Sequence, residues 1–176
     1  MRISVVPGDI TAQDVDVVVN AANSSLLGGG GVDGAIHAAA GPELLEECRR
    51  LRATSHREGL PVGAAVATGA GRMPARWVVH TVGPNRHRGQ TDPALLASCF
   101  TESLRVASGL GARSVAFPAI SAGAFGWEPA VVARVGMGAV RAAADDGTAA
   151  GIEEVRFVVF GAAAQAVFEQ ALGGDG

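Results

Sequence analysis

The 176-residue chain contains no lysine and no tyrosine, and all fourteen of its basic residues are arginine. Without lysine there is no Walker-type phosphate loop, no Schiff base and no Ser–Lys dyad. Any phosphate must therefore be held by backbone N–H groups, with arginine as the one long cationic side chain on offer. Cysteine is scarce as well: Cys48 and Cys99 stand far apart, among residues that read as helical. They are expected to pack as small buried hydrophobes in a reducing compartment. His37, His56, His80 and His87 are scattered, and no Cys–His spacing resembles a metal site, so neither metal nor cofactor is expected. The net charge is −3 and no basic run is present, which disfavours wrapping around bare nucleic acid. No apolar stretch approaches membrane-spanning length, and Met1 to Pro7 lacks the apolar segment of a secretion signal. A cytoplasmic, membrane-free monomer is the expectation. The first strand is not followed by a dinucleotide fingerprint, which argues against a dehydrogenase.

Hydrophobic residues make up 48% of the chain and charged ones 18%, a globular balance. There are no repeats and no low-complexity linker, so residues 1–176 are read as one domain. Ile3 to Val6, Asp16 to Asn20, Ala64 to Ala70, Trp77 to Thr81, Ser114 to Phe117 and Val155 to Phe160 read as strands. Helices are expected over Val32–Ala40, Pro42–Arg52, from Asp92-Pro93 to Gly109, from Pro129 to Asp146, and over Ala162–Leu172. Gly71 to Pro74 reads as a hairpin turn and Gly83 to Gln90 as a polar surface loop. This alternation predicts an α/β fold with a parallel or mixed sheet covered on both faces. In such folds ligands sit beyond the carboxyl ends of the strands. Two glycine-rich loops, Gly28 to Gly31 and Gly123 to Gly126, follow strands and can face one another across one crevice.

The first of these loops is the most informative stretch. Asn20 and Asn23 close a buried strand, four glycines follow, and Asp33 falls in the first turn of an alanine-rich helix. A glycine loop that feeds a helix N-terminus presents unpaired N–H groups and the positive end of the helix dipole, an anion site. Asp33 as a mere dipole partner would contribute roughly 0.3–1 kcal/mol. That reading leaves the two amides and the four glycines unexplained, since a turn needs one or two. Asp9, after Gly8, admits two readings: a turn cap, or a carboxylate accepting from an adenine amino group. Ser121 lacks the Gly-x-Ser-x-Gly frame of a hydrolase elbow and is not read as a nucleophile. His80, within Val78-Val79-His80-Thr81, reads as a core or strand-end histidine.

Asn20-Ala21-Ala22-Asn23, Leu27 to His37 and Ala39-Ala40-Gly41-Pro42 together resemble the hydrolytic macrodomains of the MacroD type. Gly8-Asp9-Ile10-Thr11 and His80-Thr81-Val82-Gly83-Pro84 look like further signatures of that family, in the family's order. The likeness runs from about Val6 to Pro129. It implies a three-layer α/β/α sandwich with a mixed central sheet, and removal of ADP-ribose from modified acidic side chains. The resemblance places Asp9 and Ile10 at the adenine, and Asn20 and Asn23 beside the distal ribose, where both would serve catalysis together with Asp33. Gly30, Gly31 and Val32 would give backbone contacts, and Asp33 would be the catalytic carboxylate. Ser121, Ala122, Gly123, Ala124, Phe125 and Gly126 would wrap the diphosphate. That last loop more often reads Ser-Thr-Gly-Ile-Tyr-Gly in the family. Here Phe125 keeps a ring without a hydroxyl, and Ala122 lacks a phosphate donor. The implied partners are ADP-ribose and ADP-ribosylated proteins. An O-acetyl-ADP-ribose deacetylase, a hydrolase of ADP-ribosylated nucleic acid and a non-catalytic ADP-ribose reader remain as alternatives.

Overall fold

The computed structural model describes residues 1–174. Its strands are β1 (Arg2–Pro7), β2 (Val17–Ala22), β3 (Ala65–Gly69), β4 (Trp77–Val82), β5 (Ser114–Phe117) and β6 (Glu154–Val159). Its helices are α1 (Gly31–Ala40), α2 (Pro42–Ala53), α3 (Pro93–Gly109), α4 (Pro129–Asp146) and α5 (Ala162–Gly173). Local chemistry accounts for several boundaries. Pro42, Pro93 and Pro129 each open a helix at a position where the missing N–H costs nothing. The Asp92 carboxylate accepts from the Ala94 N–H at 2.9 Å and so caps α3. Glu43 and the Arg50/Arg52 pair lie at the ends of α2 that suit their charges.

The strands form one mixed sheet in the order β1-β6-β5-β2-β4-β3, parallel throughout except for the β3–β4 hairpin at one edge. Apolar strand residues alternate between two cores. Val17, Val19, Val115, Phe117, Val155 and Phe157 face α3, α4 and α5, whereas Val18, Val78, Ala116 and Val158 face α1 and α2. A strand buried on both faces reads as a continuous apolar run, which is why Val17-Val18-Val19 shows no polar alternation. The result is the expected three-layer α/β/α sandwich with a mixed central sheet. Phe100, Phe117, Phe157 and Phe168 form a chain of rings through the larger core, with neighbouring centroids 5.0 to 6.0 Å apart. Among the described residues, no helix is long and apolar enough to cross a membrane.

Some boundaries differ from the sequence reading. Strand β2 continues to Ala22, so Asn20 lies inside the strand and not at its exit. Pairing with β4 explains the extension, since Asn20, Ala21 and Ala22 stand opposite His80, Thr81 and Val82. Short 3-10 turns occupy Ile10–Ala12, Arg86–Arg88 and Gly123–Phe125, within segments read as turn or loop. Phe160, read as a strand residue, lies beyond β6 and is 86% exposed.

The topology fixes where a ligand can sit. Strands β2 and β5 are parallel neighbours, yet the chain leaves β2 for α1 on one face and β5 for α4 on the other. Divergent connections open a crevice beyond the strands' carboxyl ends, at a topological switch point.

Candidate functional site

Two cavities, each of about 460 Å³, lie over this crevice. They share Gly31, Val32, Pro118, Ala119 and Ala122 in their walls and so form one elongated cleft. One end is lined by Asn23, Gly29, Gly30, Asp33, Gly83, Ser121, Ala124 and Phe125. The other is lined by Asp9, Ile10, Gly123, Val159 and Phe160. Thus twelve of the fourteen residues singled out in the sequence converge here, from the ends of three strands, β1, β2 and β5. Asp9 and Asp33 are the charged residues of the lining, and no arginine lines it. An anion in the cleft can therefore be met only by backbone N–H groups and by neutral side-chain donors, the Asn23 amide and the Ser121 hydroxyl.

The first loop is shaped by close backbone approaches. The Asn23 amide donates to Gly28 O at 2.9 Å, and its Oδ1 accepts from Ser25 Oγ, which clamps the loop from beneath. A Cβ on Gly29 would lie 3.1 Å from Asn23 Nδ2 and 3.2 Å from Asp33 Oδ2. A Cβ on Gly34 would lie 2.7 Å from Gly29 O, closer than real side chains come. Gly28 and Gly31 take φ of 94° and 57°, in the left-handed region that favours glycine. Helix α1 starts without a side-chain cap, so its first N–H groups lack both an intrahelical acceptor and a capping one.

Asp33 is 5% exposed, and its two carboxylate oxygens have different surroundings. Oδ1 accepts from Asn20 Nδ2 at 2.8 Å and stands 3.3 Å from His37 Nε2. Oδ2 lies under Gly29 on the cavity side. One oxygen is thus anchored inward while the other is left to the cleft. Asn20 itself is fully buried and lines neither cavity; its side chain sits behind Asp33. Behind Asn20 lies His80, 3.1 Å away and 1% exposed. Burial, with a smaller contribution from the charge of His37, pushes the His80 pKa down to about 3, so its ring is neutral.

The second loop is anchored by Trp127. Its indole Nε1 donates to Pro84 O at 3.0 Å, and its backbone N–H donates to Ser121 O at 3.2 Å. Ser121 is held at φ 66°, a conformation costing a non-glycine residue about 1–2 kcal/mol. Its buried Oγ has no partner among the described residues and lies against Gly83, a residue of the same cavity wall. Gly126 ends the 3-10 turn at φ 78° and packs against His87 instead of lining the cleft. At the far end, Asp9 caps its own turn, accepting from Thr11 N at 2.9 Å and Thr11 Oγ1 at 2.7 Å, both through Oδ1. Its role as a cap, one of the two sequence readings, is therefore met.

Sequence reasoning passed over Gly83, Pro118, Ala119 and Phe160, which complete the walls. Phe160 gives no local signal, because Val158-Val159-Phe160 continues the apolar run of β6. The two thiols behave as expected of packed hydrophobes. Both are buried, and burial is the main cause that pushes each pKa up to about 11. Among the described residues no cluster of potential metal ligands occurs.

Comparison with known proteins agrees with this geometry. The Macro domain family model matches residues 19–136. A macro domain-containing protein of Streptomyces griseus is 58% identical over 170 residues, covering 97% of this chain and 94% of its own. A protein of Escherichia fergusonii named O-acetyl-ADP-ribose deacetylase is 54% identical over 136 residues, covering 76% of this chain and 75% of its own. Among solved structures, the Oceanobacillus iheyensis macrodomain with ADP superposes with a TM-score of 0.89 at 36% identity, covering 96% of this chain and 88% of that one. The Trypanosoma brucei macrodomain in complex with ADP-ribose gives a TM-score of 0.87 at 34% identity, covering 98% and 69%. With the family model spanning β2 to α4 and a relative 58% identical along 97% of this sequence, the chain belongs to the Macro domain family.

Proposed function

We propose that the cleft binds ADP-ribose and that the chain hydrolyses an ester bond at its distal ribose, releasing mono-ADP-ribose from modified acidic side chains. The observation that carries this reading is Asp33. A carboxylate only 5% exposed, one oxygen anchored and the other turned to a cavity, is suited to act on a ligand.

In this reading adenine lies at the Asp9–Ile10 end. The free oxygen of Asp9 accepts from the exocyclic amine, and the exposed Phe160 ring packs on the base. The diphosphate spans the shared middle of the cleft. It is met by N–H groups of the Gly30–Val32 helix start and of the Ser121–Gly126 loop, as the absence of lining arginine requires. Each charge-assisted bond to the diphosphate contributes about 1.5–3 kcal/mol. The distal ribose then reaches Asn23, Asp33 and Phe125. Fixing it there makes attack by water a nearly unimolecular step. Asp33 orients the water and takes its proton as the water oxygen bonds to the ribose carbon; the bond from that carbon to the ester oxygen breaks and the side-chain carboxylate leaves. The proton on Asp33 then passes to solvent, restoring the carboxylate.

A second reading has its own support. Two relatives, from Escherichia fergusonii and Cronobacter sakazakii, are named O-acetyl-ADP-ribose deacetylase. An acetyl ester on the same ribose would present a similar bond to the same carboxylate. The test offers a mono-ADP-ribosylated acidic protein, O-acetyl-ADP-ribose and ADP-ribosylated DNA side by side and measures released ADP-ribose. Asp33→Ala is expected to lower the rate roughly 10²–10⁴-fold while ADP-ribose still binds. A parental rate in that variant would refute the assignment.

A further inference from the structure

Behind Asp33, a line of buried polar side chains runs across three adjacent strands of the sheet, and the proposed hydrolysis does not use its far end. Thr68 on β3, His80 on β4, Asn20 on β2 and Asp33 on α1 are linked in sequence by hydrogen-bond distances of 2.9, 3.1 and 2.8 Å. All four are under a tenth exposed. Resting on the reading of Asp33 as the catalytic carboxylate, we propose that Thr68 and His80 are positioning residues that fix the amide of Asn20 and, through it, the angle of Asp33.

The direction of each bond follows from donor counting. The Thr68 hydroxyl donates to Gly69 O at 3.0 Å, so towards His80 Nε2 it can only accept. His80 Nε2 must then carry the proton. A neutral imidazole with its proton on Nε2 has a lone pair on Nδ1, and that lone pair faces Asn20. Asn20 must therefore present its NH₂ group, one hydrogen to His80 Nδ1 and the other to Asp33 Oδ1. The opposite amide orientation would aim a carbonyl oxygen at both a carboxylate and a lone pair. The chosen one leaves Asn20 Oδ1 buried without a partner among the described residues. A fully buried amide that keeps an unpaired oxygen is set by its other contacts, not by its own satisfaction. The Cys48 thiol, 3.9 Å from His80 Nε2, closes the pocket on the remaining side.

Removing the Thr68 hydroxyl frees the imidazole to hold its proton on Nδ1 instead. That proton would oppose the Asn20 NH₂ group, and the amide would turn its oxygen towards His80 and lose its grip on Asp33. Thr68→Val is nearly isosteric and suits a strand, so it isolates this effect. The experiment measures kcat on O-acetyl-ADP-ribose and calorimetric Kd for ADP-ribose in wild type, Asp33→Ala, Thr68→Val, His80→Leu and His80→Asn. We expect Thr68→Val and His80→Leu to lower kcat roughly 10- to 100-fold, the range for losing an outer partner of a functional side chain. Kd should stay within about twofold, because neither residue touches the cleft walls. His80→Asn, whose Oδ1 supplies an acceptor near the Nδ1 position, should recover much of the rate. Nitrogen-15 shifts of the wild-type imidazole should show Nε2 protonated and Nδ1 bare; a proton on Nδ1 would overturn the assignment even if a variant failed to fold. Wild-type rates in folded Thr68→Val and His80→Leu would overturn it too, provided Asp33→Ala is slow. Equal rates in wild type and Asp33→Ala would instead overturn the reading of the site itself.

Discussion

Replacing Gly34 by alanine separates fold stability from the shape of the first loop. Gly34 lies in the second half-turn of α1 with ordinary helical backbone, so alanine suits its conformation. Helix propensity alone would then favour the variant by about 1 kcal/mol. Against this, the new Cβ would stand 2.7 Å from Gly29 O, a backbone atom that cannot rotate away. Ordinary contact requires the Gly29 peptide to move by roughly 0.7 Å. Overpacking of this kind costs about 1–3 kcal/mol, leaving a net destabilisation of about 0–2 kcal/mol. For a chain of this length that lowers Tm by at most about 8 °C. The larger effect is on the ligand. The displaced peptide sits between Asn23 and Asp33 and leads directly into the N–H groups of Gly30 and Gly31. Loss of one charge-assisted bond weakens ADP-ribose binding roughly 10- to 100-fold. Gly138→Ala is the matched control: it too is helical, exposed, and has nothing within 4 Å of its Cβ position. It should raise Tm by about 2–4 °C and leave Kd unchanged. Calorimetry and thermal melts on the two variants make the comparison. Parental affinity in Gly34→Ala would show that the loop's tight path has no part in binding.

Other consequences follow from individual contacts. The buried His80 has its pKa lowered from 6.5 to about 3, so it is neutral in the fold but protonates readily in the unfolded chain. Its contribution is complete above about pH 6.5 and is lost as pH falls towards 3, at up to about 1.4 kcal/mol per unit. Urea unfolding between pH 7 and 4 should be less pH-dependent in His80→Asn, and an unchanged slope would contradict the burial argument. Phe160→Ala should weaken ADP-ribose roughly 5- to 100-fold, the range for removing an aromatic platform under a base, with Tm unchanged because the ring is 86% exposed. Trp127→Phe removes the indole bond to Pro84 O and should cost about 1 kcal/mol of stability, read from urea midpoints.

Much of this architecture is written locally in the chain. The proline helix starts, the apolar run of β2 and the glycine run before Asp33 are signals within a few residues, and they predicted a sheet covered on both faces with a crevice at its strand ends. What the sequence concealed depends on partners far away. Asn20 looked like a residue leaving a strand because β2 is buried on both faces, and a strand without polar alternation gives no clue to which residue ends it. Its contact with His80 spans 60 residues, and that of His80 with Thr68 comes from a hairpin register that spacing alone does not set. Phe160 was absorbed into the apolar pattern of β6, and only the sheet's end shows it to be outside the core. Gly126 reads as part of a phosphate loop by adjacency, yet it turns away to meet His87.

The central claim is that a lysine-free cleft, with no arginine in its walls, holds ADP-ribose through backbone N–H groups beside Asp33. Isothermal titration of ADP-ribose into the folded wild-type chain tests it most directly. A saturable heat with one site per chain, retained in Asp33→Ala and diminished in Gly34→Ala, is the predicted result. No heat from protein that is folded by circular dichroism would contradict the account.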